Sequence, residues 1–351
     1  MQTSLPEALL HTATGKAADE ILRNCVHCGF CNATCPTYQL TGDELDGPRG
    51  RIYLMKQALE GRRPSSRTLL HLDRCLTCRA CETTCPSGVD YHTLLDTGRE
   101  YIEQRVRRPL VQRLVRRLLR LVLTSPRRFT PLLRVAQALR PVLPARLGKS
   151  VPTRAPSGEP DDSLSQSRTM LLLDGCVQPV LAPQINRSTR QVLAALGINA
   201  VIPEGSGCCG ALSHHLTAMQ EARGFMKTNI DAWWPVIEGG AEAIVITASG
   251  CAPMVKDYGR LLADDREYAR KAARVSELAR DLSEVISAEW PAASLKRHAS
   301  GKKIVFHSPC SLQHGQQITG VVEDLLIASG YTLLPVADTH LCCGSAGTYS
   351  I

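Results

Sequence analysis

Two stretches of the sequence carry the same arrangement of thiols. Cys25, Cys28, Cys31 and Cys35 run into Pro36 as C-x2-C-x2-C-x3-C-P, and Cys75, Cys78, Cys81 and Cys85 run into Pro86 in the same way. Cysteines three apart in one compact loop present three thiolates to three irons of one cube. The fourth, sent off by proline, is positioned for a neighbouring cube. The spacing therefore predicts two [4Fe–4S] clusters with crossed ligation. Cys25, Cys28, Cys31 and Cys85 hold one, and Cys75, Cys78, Cys81 and Cys35 hold the other. Zinc is the rival chemistry, but it favours two separated C-x2-C pairs, each giving half a tetrahedron. A run of four cysteines ending in proline, present twice, points to the clusters.

Seven of the 15 cysteines lie in the second half, and they repeat. Cys176 and Cys310 each stand 32 residues before an adjacent pair, Cys208-Cys209-Gly210 and Cys342-Cys343-Gly344. Cys251 belongs to the first copy alone; its counterpart would fall beyond Ile351, so the second copy reads as cut short. Two neighbouring thiolates suit a metal or a cluster edge, and glycine permits close backbone approach. Cys176, Cys208, Cys209, Cys251, Cys310, Cys342 and Cys343 are thus candidate ligands of an additional cluster. Buried cysteines acting as small apolar side chains are the alternative. His214, His215, His307, His314 and His340 read as structural or surface residues.

The elements that must position these thiols show in the apolar pattern. Pro48–Glu60 (PRGRIYLMKQALE) reads as a helix between the two N-terminal motifs, with Pro near its start and Gly61 behind its end. It makes the N-terminal module helical. Arg49 and Arg51 on it read as solvated, with softening of cluster charge as the alternative. Further on, Thr169–Asp174, Asn199–Pro203 and Ala243–Ala248 read as strands, with helices over Ser188–Leu196 and Thr217–Trp233. That alternation implies βαβ units around a mainly parallel sheet. The pattern restarts with strand Lys303–His307, a helix over Gly320–Ser329 and strand Tyr331–Val336. The expected fold is α/β overall: an α-helical two-cluster module, then a duplicated α/β cysteine-rich domain. The expected domains are residues 1–100, a basic connector and linker over 101–168, a first cysteine-rich copy over 169–300, and the start of a second over 301–351.

Charge is concentrated in the connector. From Gln104 to Gly158 there are 13 Arg and one Lys and no acidic residue. Within it, Val106–Leu123 sets Leu and Val at helical spacing against Arg113, Arg116, Arg117 and Arg120. Three readings stay open: a helix on an anionic membrane surface, a dock for an acidic partner, or a helix covering the core. Nucleic acid is not expected, since no aromatic interleaving or binding motif accompanies the charge. No apolar run is long enough to span a membrane, and no basic start leads into an apolar stretch. Together with the many unpaired thiols, this predicts a cytoplasmic protein, peripheral to the inner face of the membrane if the basic helix binds there.

The Cys-Cys-Gly repeats resemble the CCG domains of the heterodisulfide reductase family. The complete pattern there ends in C-x-x-C, where this sequence has Cys251-Ala-Pro-Met254. The order of parts resembles the iron–sulfur subunits of bacterial glycolate oxidases, as do Gly47–Lys56 (GPRGRIYLMK), Ser249–Gly259 (SGCAPMVKDYG) and Ser308–Gln316 (SPCSLQHGQ). The resemblance implies an electron-transfer subunit that relays electrons towards quinone from flavin-binding dehydrogenase subunits oxidising glycolate or D-lactate. Related subunits of anaerobic glycerol-3-phosphate dehydrogenase and of lactate utilisation share the cysteine motifs. A catalytic reductase of the heterodisulfide type is a further alternative. The one G-x-G-x-x-G, Gly205 to Gly210, contains the Cys208-Cys209 pair and is read with the ligand thiols, not as a site for FAD or NAD, which agrees with a chain that does not itself oxidise the substrate.

Overall fold

The structure, a computed structural model, describes residues 1–154, 166–290 and 301–345. The expected Pro/Ser/Gly-rich linker, Val151 to Ser167, falls mostly outside them. Contacts divide the chain into two units. One comprises Met1–Arg113 with Lys303–Gly320 and the described part of Leu333–Ile351; the other comprises Leu114–Lys302 with Val321–Thr332.

The first unit is built on four helices: α1 (Ala13–Asn24), α2 (Pro48–Leu59), α3 (Ser66–Asp73) and α4 (Tyr91–Glu103). Each start has a local cause. The Thr12 hydroxyl accepts the Gly15 N–H at 3.0 Å, Pro48 opens α2 at its first turn, Ser65 and Thr68 form a reciprocal capping box, and Asp90 accepts from Thr93. Their apolar faces meet in one core around Leu22, Met55, Leu59, Leu72, Leu94 and Ile102. Full burial of each such side chain contributes about 1.5–3 kcal/mol. Gly50 is required by packing: a Cβ there would collide with the Glu44 carbonyl, so α2 rests directly on the loop carrying Asp46.

Two boundaries differ from those read in the sequence. Residue 100 lies inside α4, whose fully buried Ile102 belongs to the N-terminal core. The segment from Lys303 to Gly320 groups with the N-terminal helices, where His314 is hydrogen-bonded to the Thr83 hydroxyl at 2.9 Å.

Beyond α4 the basic stretch forms α5 (Leu110–Leu123) and α6 (Pro126–Leu139), with a short helix over Ala145–Ser150 behind them. The second unit then holds a four-stranded sheet of β1 (Arg168–Leu172), β2 (Ile198–Val201), β3 (Ile244–Ile246) and β4 (Ala279–Asp281), in the order β2-β1-β3-β4 with every pairing parallel. Helices α7 (Pro183–Ala195) and α8 (Met219–Glu238) join the first three strands, and α9 (Leu282–Glu289) follows β4 behind an Asp281 capping box. Trp233 from α8 and Tyr258 are fully buried and stack with centroids 6.4 Å apart. The restarted pattern is present as β5 (Lys303–Val305), α10 (Val321–Ala328) and β6 (Thr332–Leu334), with β5 and β6 paired in a separate sheet.

Candidate iron–sulfur site

Both N-terminal cysteine loops fold the same way. His27 and Gly29 in the first, and Thr77 and Arg79 in the second, have left-handed backbone conformations (φ 56°, 84°, 53° and 63°). These reversals turn the three thiols of each loop towards one centre. Glycine takes such a φ freely, whereas His27, Thr77 and Arg79 hold it at a conformational cost of order 1 kcal/mol. The fourth cysteine of each motif leads, through its proline, away from its own loop. Cys35 sits directly before the short helix Pro36–Thr41.

Two cavities result. The first, about 430 Å³, is lined by Cys25, Cys28, Cys31 and Cys85 together with Ile52 and Val89. The second, about 310 Å³, is lined by Cys75, Cys78, Cys81 and Cys35 with Arg51 and Tyr91. Cys81 also borders the first cavity. The structure thus brings each predicted set of four around one space.

The donor chemistry suits a thiolate-bound metal. Burial, and then the neighbouring Cys25 and Cys85, push the Cys31 thiol up to about 11. Burial followed by Cys75 drives Cys81 well above its ordinary value. Bound cations relieve this crowding of thiolates, and ligation displaces the protons. Thiols that line a cavity in sets of four fit a multi-iron cluster.

Arg51 departs from its sequence reading. It is buried, 1% exposed, because its guanidinium finds polar partners inside: it donates to the His71 carbonyl at 2.7 Å and to the Thr37 hydroxyl at 3.0 Å. Arg49 is partly exposed and bound to Glu44 at 2.6 Å.

In the second unit every candidate thiol lies beyond the carboxyl end of a strand: Cys176 after β1, Cys208 and Cys209 after β2, and Cys251 after β3. In a sheet of order 2-1-3-4 the crevice outside β1 and β3 is the expected ligand position. The four thiols shift one another's protonation in turn, in the order Cys176, Cys208, Cys209 and Cys251. The neighbouring Cys176 lowers Cys208, but Cys209 and burial outweigh that and push it up to about 12. Two buried residues missed by sequence reasoning clamp this backbone. Asn229 donates to the Cys208 carbonyl at 2.9 Å, and Tyr258 to the Cys209 carbonyl at 2.8 Å. Asn229 belongs to no cysteine motif, Tyr258 stands in the Ser249–Gly259 stretch behind Cys251, and only the fold brings them to this backbone.

The second copy repeats the local geometry within the first unit. Gly210 and Gly344 are both left-handed (φ 89° and 80°), and their N–H groups donate to Cys208 Sγ and Cys342 Sγ at 3.4 Å each. Cys310 Sγ lies 3.7 Å from Cys342 Sγ. Cys343 is exposed. His314 bridges Thr83 and the His340 carbonyl, a structural role.

Comparison with known proteins agrees with these parts. A 4Fe-4S dicluster domain family matches residues 21–89, and a cysteine-rich domain family matches residues 170–256 and 304–351. The chain is 53% identical over 351 residues to the glycolate oxidase iron-sulfur subunit of Escherichia coli (strain K12), covering 100% of this chain and 86% of that protein. It is 29% identical to the probable glycolate oxidase iron-sulfur subunit of Bacillus subtilis (strain 168), over 94% and 80% of the two chains. Lactate utilization protein A of Geobacillus kaustophilus (strain HTA426) is 28% identical over 50% of this chain and 72% of its own.

Proposed function

This chain belongs to the family of glycolate oxidase iron–sulfur subunits, and on that premise we propose that it is a non-catalytic electron-transfer subunit serving a flavin-bearing 2-hydroxy-acid dehydrogenase. The observation that carries this is the sorting of eight N-terminal cysteines around two cavities, each closed by the fourth cysteine of the other motif. Cys25, Cys28, Cys31 and Cys85 hold one [4Fe–4S] cluster; Cys75, Cys78, Cys81 and Cys35 hold the second. When bound, the clusters supply one-electron transfer, and the surrounding residues exclude water and fix the thiolates. Glycolate or D-lactate is the substrate class of the flavin partner, with quinone as the final acceptor.

Anaerobically purified protein should carry about eight irons in the N-terminal module and absorb in the visible, as two four-iron cubes require. Zinc with no visible absorption would remove the assignment. Iron beyond eight that falls on Cys208→Ala extends ligation to Cys176, Cys208, Cys209 and Cys251. The remaining thiols, Cys310, Cys342 and Cys343, are the corresponding candidates in the second copy.

The basic helices supply the place of attachment. No described helix is long and apolar enough to cross a membrane. On α5, Leu110 and Leu114 are 77% and 58% exposed, and on α6 Leu132 and Val135 are exposed too. An exposed apolar row flanked by arginines, in a stretch without acidic residues, suits an anionic lipid surface better than a packing role. Replacing Arg113, Arg116, Arg117 and Arg120 with Gln should release the protein from anionic vesicles in a flotation assay. Wild-type binding should weaken as salt rises, because exposed charges are screened. Binding indifferent to both treatments would return α5 to a structural role.

A further inference from the structure

The second cavity has a feature that the first lacks among the described residues: a buried cation beside its sulfurs. Arg51 Nη1 lies 4.0 Å from Cys35 Sγ, and the Thr37 hydroxyl that accepts from Arg51 lies 3.3 Å from the same sulfur. On the opposite side the Tyr91 hydroxyl donates to Cys75 Sγ at 3.7 Å. Asp46, the nearest carboxylate, is fully buried but otherwise engaged. It takes Arg74 at 2.6 Å and the His71 ring at 2.8 Å, and stands 3.9 Å from Arg51. Three cationic or proton-donating groups therefore share one carboxylate, which leaves positive charge directed at the sulfurs. The first cavity is different. Its arginine, Arg49, is neutralised by Glu44 and reaches water, its other cation, the Met1 ammonium, donates to the Cys25 carbonyl at 2.7 Å and not to a sulfur, and its rim at Cys28 and Val26 is exposed.

The potential of an iron–sulfur centre follows its net charge, the hydrogen bonds to its sulfurs and its exposure. Reduction adds an electron to a site already rich in thiolate charge, and a cation unshielded by water stabilises that form. We propose that Arg51 selectively raises the reduction potential at the site formed by Cys35, Cys75, Cys78 and Cys81, so that the two sites of the module are tuned apart. This rests on the two-cluster reading above. Arg51 acts as a positioning residue for charge: it touches the ligand sulfur, and Asp46 sets how much of its charge the site feels.

The test is a dye-mediated dithionite titration of the anaerobic full chain, followed by electron paramagnetic resonance and visible absorption. In Arg51→Gln one of two midpoints should fall. At fixed ambient potential its reduced-to-oxidised ratio drops about tenfold, equal to about 59 mV for a one-electron couple, while the other midpoint moves far less. The shifted signal should be the one lost in Cys75→Ala. Arg51→Lys, which keeps the charge, should recover most of the shift. Because Arg51 also braces the His71 carbonyl, the independent variant is Asp46→Asn, which removes the opposing charge and should move the same midpoint upwards. Unmoved or equally moved midpoints in variants that retain their iron would overturn the role of Arg51. Wild-type protein without iron or visible absorption would overturn the cluster reading instead.

Discussion

Cys35→Ala should empty the second cavity and leave the first one filled. Iron should drop from about eight to about four per chain, since each cube holds four. The resonance signal that remains should be the one that depends on Cys25, Cys28 and Cys31. The reason is local geometry. Pro36 opens a short helix immediately after Cys35, so the chain leaves its own loop and presents Cys35 among Cys75, Cys78 and Cys81. Cys35 is buried there, and alanine offers no replacement ligand. Cys85→Ala should give the mirror result, because Cys85 borders the first cavity beside Cys25, Cys28 and Cys31. Each fourth cysteine ties its own loop to the other motif's site. The double variant Cys35→Ala/Cys85→Ala should therefore lose both clusters and also the link between motifs. Iron analysis with spin quantitation measures all three. Loss of the first site's signal in Cys35→Ala would mean that each motif is self-contained.

The thiol groups and the α/β character were legible because both rest on short-range signals: cysteine spacing, and apolar runs broken by glycine and proline. Helix α2 is an example, with Pro48 and Gly61 bracketing it. The parallel sheet follows from the strand–helix alternation, and β5, α10 and β6 follow from its restart. β4 was missed. It is three residues long, Ala279–Asp281, and directly follows the helix Ala269–Leu278 without a turn residue between them. Its strand character comes from pairing with β3, not from its own sequence. Arg51 was read as solvated because arginine on a helix usually is. What buries it lies elsewhere in the chain: the His71 carbonyl 20 residues on and Thr37 14 residues back. Asn229 and Tyr258 were invisible for the same reason, since each acts on the Cys208-Cys209 backbone from a separate helix. Long-range polar partners leave no period in a sequence.

The isolated chain should show no turnover with glycolate and a dye acceptor, and should restore activity when added to the flavin subunits. The argument is an inventory of donors. Removing two electrons and two protons from a 2-hydroxy acid, a hydride from carbon and a proton from the hydroxyl, needs a flavin or nicotinamide acceptor. This chain offers thiol-lined cavities, and its one G-x-G-x-x-G is occupied by the Cys208-Cys209 pair. In the reconstituted complex, Cys28→Ala and Cys78→Ala should each abolish electron delivery to quinone, since each removes a thiol from one cavity. The two variants should differ in how they present. Cys28 is exposed at the rim of the first cavity, so its loss opens that site to water while the core stays folded. Cys78 is less accessible and lines the second cavity beside Arg51 and Tyr91, so its loss leaves the first site closed. Flavin reduction by substrate should survive in both, because it precedes this chain. Rapid mixing of the complex with glycolate, followed at the flavin absorption, separates the two stages. Turnover by the chain alone would overturn the relay, and full quinone reduction in either variant would take that site out of the electron path.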